Sequence, residues 1–129
     1  MSAESDILGI EKAMSDAFNA GKVEEILKYF DEELIEFSST KPERLMGISA
    51  LRETFNFYLK EADHLEFNIV SPIIKIIDEN AAIATFYWLV VLINGKTRRE
   101  IQGRGTHVFL KKDEGWKIIH EHFSRSHHQ

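Results

Sequence analysis

The chain has 129 residues, 43% of them hydrophobic and 29% charged, which fits one soluble domain built around a single core. Its net charge of −5, from 16 Lys+Arg against 21 Asp+Glu, argues against a general nucleic-acid binder, which needs a concentrated basic face. It contains no cysteine, so a disulfide framework, a thiolate nucleophile and a cysteine-ligated zinc site are excluded.

No apolar run approaches the ~20 residues that span a bilayer, so no membrane association is expected. The opening Met-Ser-Ala-Glu-Ser-Asp is acidic and lacks the basic and apolar regions of a signal peptide, and a cytoplasmic location is the expectation. The local basic cluster from Lys96 to Arg99, with Arg104, is interrupted by Glu100 and reads as a solvated strand edge.

The elements run helices first, strands after. From Ile7 to Phe18 the residues Ile7, Ile10, Met14, Ala17 and Phe18 share one helical stripe, and Asn19-Ala20-Gly21 supplies a stop. A shorter helix follows, with Val23, Ile26, Leu27 and Phe30 facing inward. Leu34–Ser38 reads as a short strand and Ser39–Met46 as a polar loop. A third helix is expected from about Ser49, as its N-cap, to Lys60, with Ile48, Leu51, Phe55, Tyr58 and Leu59 on its inner stripe.

After Asp63 the period becomes alternating. Four long strands are predicted over His64–Ile77, Ala81–Ile93, Thr97–Lys111 and Gly115–Arg125. Ser71-Pro72 inside the first implies an edge or a bulge. Asp78-Glu79-Asn80, Asn94-Gly95 and Lys112-Asp113-Glu114 are the turns between them. Helices followed by an antiparallel meander give an α+β fold with the helices on one face of the sheet, in a single domain over residues 1–129. The second long strand is apolar on both faces, Phe86, Trp88, Val90 and Leu92 on one, Tyr87, Leu89, Val91 and Ile93 on the other. A second copy of the chain is the expected cover for the outer face, in a homodimer packed through the sheet.

Gly103 and Gly105 share a face with Ile101, His107 and Phe109. Two such glycines bend a strand, and if they face the helices they leave a hollow. In the last strand strict alternation puts Trp116, Ile118, His120, His122 and Ser124 on one side and Lys117, Ile119, Glu121 and Phe123 on the other. His120 and His122 stand side by side, but a metal would need His127 or His128 as further ligands and no characteristic spacing joins them. A structural pair is expected, with no metal and no cofactor.

Three helices, a small strand, then Gly103-Arg104-Gly105-Thr106-His107-Val108 followed by Asp113-Glu114-Gly115-Trp116-Lys117-Ile118-Ile119-His120-Glu121-His122 resemble the nuclear transport factor 2-like superfamily. Within it the chain is similar to the SnoaL-like branch that includes the association domain of calcium/calmodulin-dependent protein kinase II. The resemblance implies a cone: a curved antiparallel sheet closed by three N-terminal helices over a deep pocket, in dimers or larger rings. The superfamily holds isomerase-, cyclase- and dehydratase-like enzymes as well as non-catalytic modules.

By that correspondence the cavity face includes Tyr87, Gly105, His107, Ile119, Glu121 and Phe123, with Tyr58 from the third helix and Glu36 or Phe37 from the small strand. Glu121 is then the base that abstracts a proton, His107 its acid or base partner, and Tyr87 or Tyr58 a donor to a developing enolate oxygen. Alternatively Glu121 pairs with a basic group such as Arg104 or Arg99 and only holds register. The parity of the Asn94-Gly95 turn conflicts with the correspondence, because it puts Tyr87 beside even-numbered residues of the next strand. A bulge near Gly103 or Gly105 would bring Tyr87 and His107 to one face. Three functions stay open: a binder of a small apolar or weakly acidic molecule, an acid–base enzyme of isomerase, cyclase or dehydratase type, and an oligomerisation module.

Overall fold

A computed structural model describes residues 2–126. The Ser2 hydroxyl accepts a hydrogen bond from the Ser5 amide, so the first helix, α1, begins at Ala3 and runs to Asn19, a turn before the apolar stripe starts. Its buried face is Ile7, Glu11, Met14 and Phe18, so a carboxylate sits in an otherwise apolar row. Gly21, at a φ of 73°, turns the chain into α2, Val23–Leu27. Phe30, expected at the end of that helix, instead opens strand β1, Phe30–Phe37. The loop predicted over 39–46 ends in a two-residue strand, β2, Leu45–Met46, and α3 follows directly over Gly47–Leu59.

The four long strands are β3 His64–Asp78, β4 Ala81–Asn94, β5 Thr97–Lys112 and β6 Gly115–Arg125. With β1 and β2 they form one six-stranded sheet in the order β2-β1-β6-β5-β4-β3. Every pairing is antiparallel except that of β1 with β6, which is parallel. This parallel pair brings the first long-range strand against the last, and it sets Glu36 directly beside Glu121. α1 packs on β3 and α3 on β1, so the helices cover one face of the sheet around Ile7, Leu34, Leu51, Phe109 and Ile118, all nearly or fully buried. Ser71, at a φ of 53°, and Pro72 lie at a register shift in β3, as the proline predicted.

Strict alternation fails in β6. Phe109 pairs with Ile118 and Val108 with His120, so Ile119 is the extra residue of a bulge. Trp116 and Ile118 are buried, and past the bulge the inward positions become Glu121 and Phe123. Two residues expected to share a side, Ile118 and His120, therefore face opposite ways. The bulge residue and the one before it are both isoleucine, so the pattern of polarity gave no sign of the slip.

The two glycines of β5 do face the helices, but they leave no hollow of their own. A Cβ on Gly103 would lie 2.2 Å from the Trp88 ring and 2.1 Å from the Ser124 carbonyl oxygen, and one on Gly105 would lie 2.5 Å from the Phe86 ring. The rings of Trp88 and Phe86 occupy the space that side chains would take, flattened against the strand. Gly103→Ala is therefore expected to destabilise at or above the top of the ~1–3 kcal/mol range for overpacking, and more than Gly105→Ala. The Gly103 clash is with backbone, which cannot rotate away, whereas Gly105 meets only rings. Urea midpoints of the two variants check the order.

Candidate functional site

Three strands and a helix converge on one imidazole. His107 lies on β5 opposite Ala84 of β4 and Glu121 of β6, and is only 3% exposed. Its Nδ1 is 2.6 Å from Glu11 Oε2 of α1, and its Nε2 is 2.7 Å from Glu121 Oε1. A neutral imidazole has one donor and one acceptor nitrogen, so it satisfies only one ionised carboxylate; two carboxylate partners favour the doubly protonated ring. Burial alone would lower the histidine's pKa, but the Glu11 and Glu121 carboxylates more than reverse this and push it up to about 10.

Glu36 extends the cluster. Burial, reinforced by the hydrogen bond and charge of the adjacent Glu121, pushes its pKa up to about 10. Glu121 moves the other way: burial raises it, but the hydrogen bonds from Glu36 and His107 hold it below the ordinary carboxylate range. Glu36 is thus the proton-bearing carboxyl and Glu121 the ionised one, in a chain Glu11–His107–Glu121–Glu36. Two oxygens in it, Glu11 Oε1 and Glu36 Oε1, are buried with no hydrogen-bond partner among the described residues.

The cluster forms the polar end of a cavity of about 180 Å³ between the helices and the concave face of the sheet. Its walls are largely apolar, from Phe18, Phe55, Phe67, Trp88, Val90 and Phe123. Tyr58 of α3 adds a hydroxyl, 2.7 Å from both Ser38 Oγ and Thr40 Oγ1. Burial raises its pKa, which the two hydroxyl contacts partly offset, so the phenol stays protonated at neutral pH.

Of the residues expected at the site, Tyr58, His107, Glu121 and Phe123 line this cavity. Tyr87 does not. The β4–β5 register is unbroken, Asn94 pairs with Thr97 and Tyr87 with Arg104, so Tyr87 points outward and is 59% exposed. The bulge needed to bring it to the face of His107 is absent from this pair of strands. Phe37 also faces away, packing on His120 and His122, and its neighbour Glu36 takes the inward position. Ile119 is lost to the bulge. The partner of Glu121 is His107, not Arg104 or Arg99.

His120 donates from Nδ1 to the Ile35 carbonyl, 2.8 Å away, and so fastens β6 to β1. His127 and His128 lie outside the described residues. Among the described residues no group of three or more His, Asp or Glu side chains is arranged to hold a metal ion. No helix among them is long and apolar enough to cross a membrane.

Glu11 was missed, although its position carried a signal: it falls four residues after Ile7 and three before Met14, on the inward stripe of α1. A carboxylate on such a stripe needs a buried partner, and among the described residues His107 is the only histidine on an inward strand position.

Residues 7–127 match the family model described as a SnoaL-like domain. Among solved structures the chain resembles a nuclear transport factor 2-like protein of unknown function from Pseudomonas putida, with 17% identity and a TM-score of 0.86 over 98% of this chain and 89% of that one. It also resembles the association domain of C. elegans calcium/calmodulin-dependent protein kinase II, with 21% identity and a TM-score of 0.76 over 94% of each. A third likeness is to a Novosphingobium aromaticivorans protein assigned as a scytalone dehydratase, with 16% identity and a TM-score of 0.81 over 94% of this chain and 82% of that one. At these identities the likenesses establish the fold, a nuclear transport factor 2-like α+β architecture.

The proton chain fixes how stability varies with pH. His107 rises from 6.5 to about 10, so its contribution is complete below pH 6.5 and is lost as pH climbs to about 10. Glu36 rises from 4.5 to about 10 and its contribution is lost in the same direction. Unfolding free energy should therefore fall between pH 7 and 10, by up to about 1.4 kcal/mol per pH unit for each proton. Glu36→Gln, which mimics the protonated acid, should flatten this slope and match or exceed the wild type at pH 7, since the wild type has begun to lose the Glu36 contribution above pH 4.5. Urea unfolding across that range checks it; an unchanged slope in the variant would mean Glu36 is already ionised.

Proposed function

The chain belongs to the SnoaL-like domain family, and on that premise we propose that it binds a small, largely apolar molecule in its cone cavity. One observation carries this reading. The cavity ends in a protonated carboxyl, Glu36, with one buried oxygen that no described residue satisfies, beside the Tyr58 hydroxyl. A buried acceptor left unmatched costs ~1–3 kcal/mol, which a ligand hydroxyl would recover by donating to it. Tyr58, His107, Glu121 and Phe123 are the ligand-facing residues, joined by Glu36.

Ligand-dependent thermal shift tests it with 2-naphthol, a hydroxyl on an apolar body. At a hundred times Kd, binding should add about 2.7 kcal/mol of stability. Val90→Trp, which fills the cavity from its wall, should abolish the shift without unfolding the protein. An unchanged shift in that variant would move the site elsewhere.

The unbroken chain Glu11–His107–Glu121–Glu36 favours a second reading, an isomerase-, cyclase- or dehydratase-type enzyme. Glu121 would take a proton from carbon, His107 would stabilise its charge and relay protons, and Tyr58 would donate to the enolate oxygen. Exchange of the α-hydrogens of 2-tetralone into D2O should then exceed the buffer rate and fall about 100-fold or more in Glu121→Gln. Bound ketone with no acceleration would leave the binder and remove the enzyme.

Assembly follows from the outer face of the sheet. Val70 and Tyr87 are cross-strand neighbours there, 45% and 59% exposed, with Ile73 at 67% beyond them. Apolar surface of this kind on a sheet supports a homodimer, the unit from which a larger ring would be built. Sedimentation velocity should give a dimer for the wild type and a monomer for Tyr87→Glu. A monomeric wild type would refute the dimer.

A further inference from the structure

Charge changes sign along the cavity, and that gradient dictates how a ligand lies in it. At the closed end three carboxyl groups, Glu11, Glu36 and Glu121, surround one imidazole whose nitrogens both face carboxylate oxygens. No cationic hydrogen is left there for an incoming anion, and the surplus of carboxyls repels one. Neutral oxygen is a different matter, because the Glu36 carboxyl and Tyr58 hydroxyl face the space.

At the other end two arginines, Arg99 and Arg125, line the mouth with Glu61, which follows α3. The arginine ion pairs among the described residues are those of Arg52 with Glu24 and Arg98 with Glu100, so neither arginine of the mouth is neutralised in this way. Arg125 owes its inward position to the bulge at Ile119, after which Glu121, Phe123 and Arg125 share the concave face. It pairs across strands with Gly103, on the same face as the Trp88 ring that lies against that glycine. Four residues of strand separate Arg125 from Glu121, a span of about 13 Å at ~3.3 Å per residue. Between them lie Phe123 and Trp88, stacked with ring centroids 5.8 Å apart.

We propose that the ligand is an amphipathic anion the length of two fused rings, with a neutral hydroxyl donating to Glu36, an apolar body along Phe123 and Trp88, and a carboxylate on the Arg125 guanidinium. The proposal rests on the binding reading above and gives it polarity and length. A guanidinium takes a carboxylate through two parallel hydrogen bonds, so the contact confers direction as well as affinity. The aromatic pair between the charged ends excludes ligands that are polar throughout.

Isothermal titration with three probes tests it: 6-hydroxy-2-naphthoate, its methyl ester and 2-naphthol. The free acid should bind about 10-fold tighter than the ester. Arg125→Gln should erase that preference while leaving 2-naphthol binding unchanged. Arg99→Gln removes the same charge four strand residues beyond Gly103 and should change the preference less than about twofold. Equal affinity of acid and ester, or equal losses in both variants, would overturn the proposal in favour of no contact or a diffuse field. Binding of 2-naphthol with exclusion of 6-hydroxy-2-naphthoate would overturn it while the cavity reading stands. Failure of all three probes would overturn both.

Discussion

A histidine with a carboxylate at each ring nitrogen ties together parts of the chain that are far apart in sequence. Glu11 comes from the first helix, His107 from β5, Glu121 from β6, and Glu36 joins through the parallel pairing of β1 with β6. Taking these groups out of water costs several kcal/mol per ion, and their mutual attraction offsets that cost only where geometry is good. Here both contacts are short and the ring is buried on all sides. Removing one partner leaves an uncompensated charge and costs roughly 3–5 kcal/mol, so the cluster behaves as a unit. It sets the helix on the sheet at one position, and it decides which carboxyl keeps a proton.

That last consequence links the fold to the site. Two carboxyls side by side in a buried place cannot both ionise, and the one nearer the imidazolium wins. Glu121 therefore carries the charge and Glu36 the proton. A protonated acid whose proton is engaged with Glu121, beside a phenol and under apolar walls, suits a neutral hydroxyl. The same surplus of carboxyls that neutralises His107 turns anions toward the mouth, where Arg99 and Arg125 stand. Packing, proton placement and ligand polarity are thus one arrangement seen at three scales.

Much of the fold was legible because it is written in local periods. The 3.6-residue stripe of α1, the switch to alternation after Asp63 and the Asn94-Gly95 turn each place an element within a few residues. The site was half legible. His107 and Glu121 stood out as ionisable groups among apolar neighbours, and Tyr58 lay on the inner stripe of α3. What stayed hidden depends on register between strands distant in sequence. At the bulge Ile118 and Ile119 have the same polarity, so alternation runs through it unmarked. The parallel pairing of β1 with β6 leaves no trace in either strand, yet it selects Glu36 over Phe37. The outward turn of Tyr87, by contrast, was already implied by turn parity, which proved the better guide than a family correspondence.

The central claim is that His107 is an imidazolium held between two carboxylates well above neutral pH. Nitrogen-15 NMR of the protein labelled at histidine measures this directly, ring nitrogen by ring nitrogen. Both Nδ1 and Nε2 of His107 should carry protons and keep their protonated shifts from pH 6 to pH 9. A His107 with one unprotonated nitrogen at pH 8 would contradict the account.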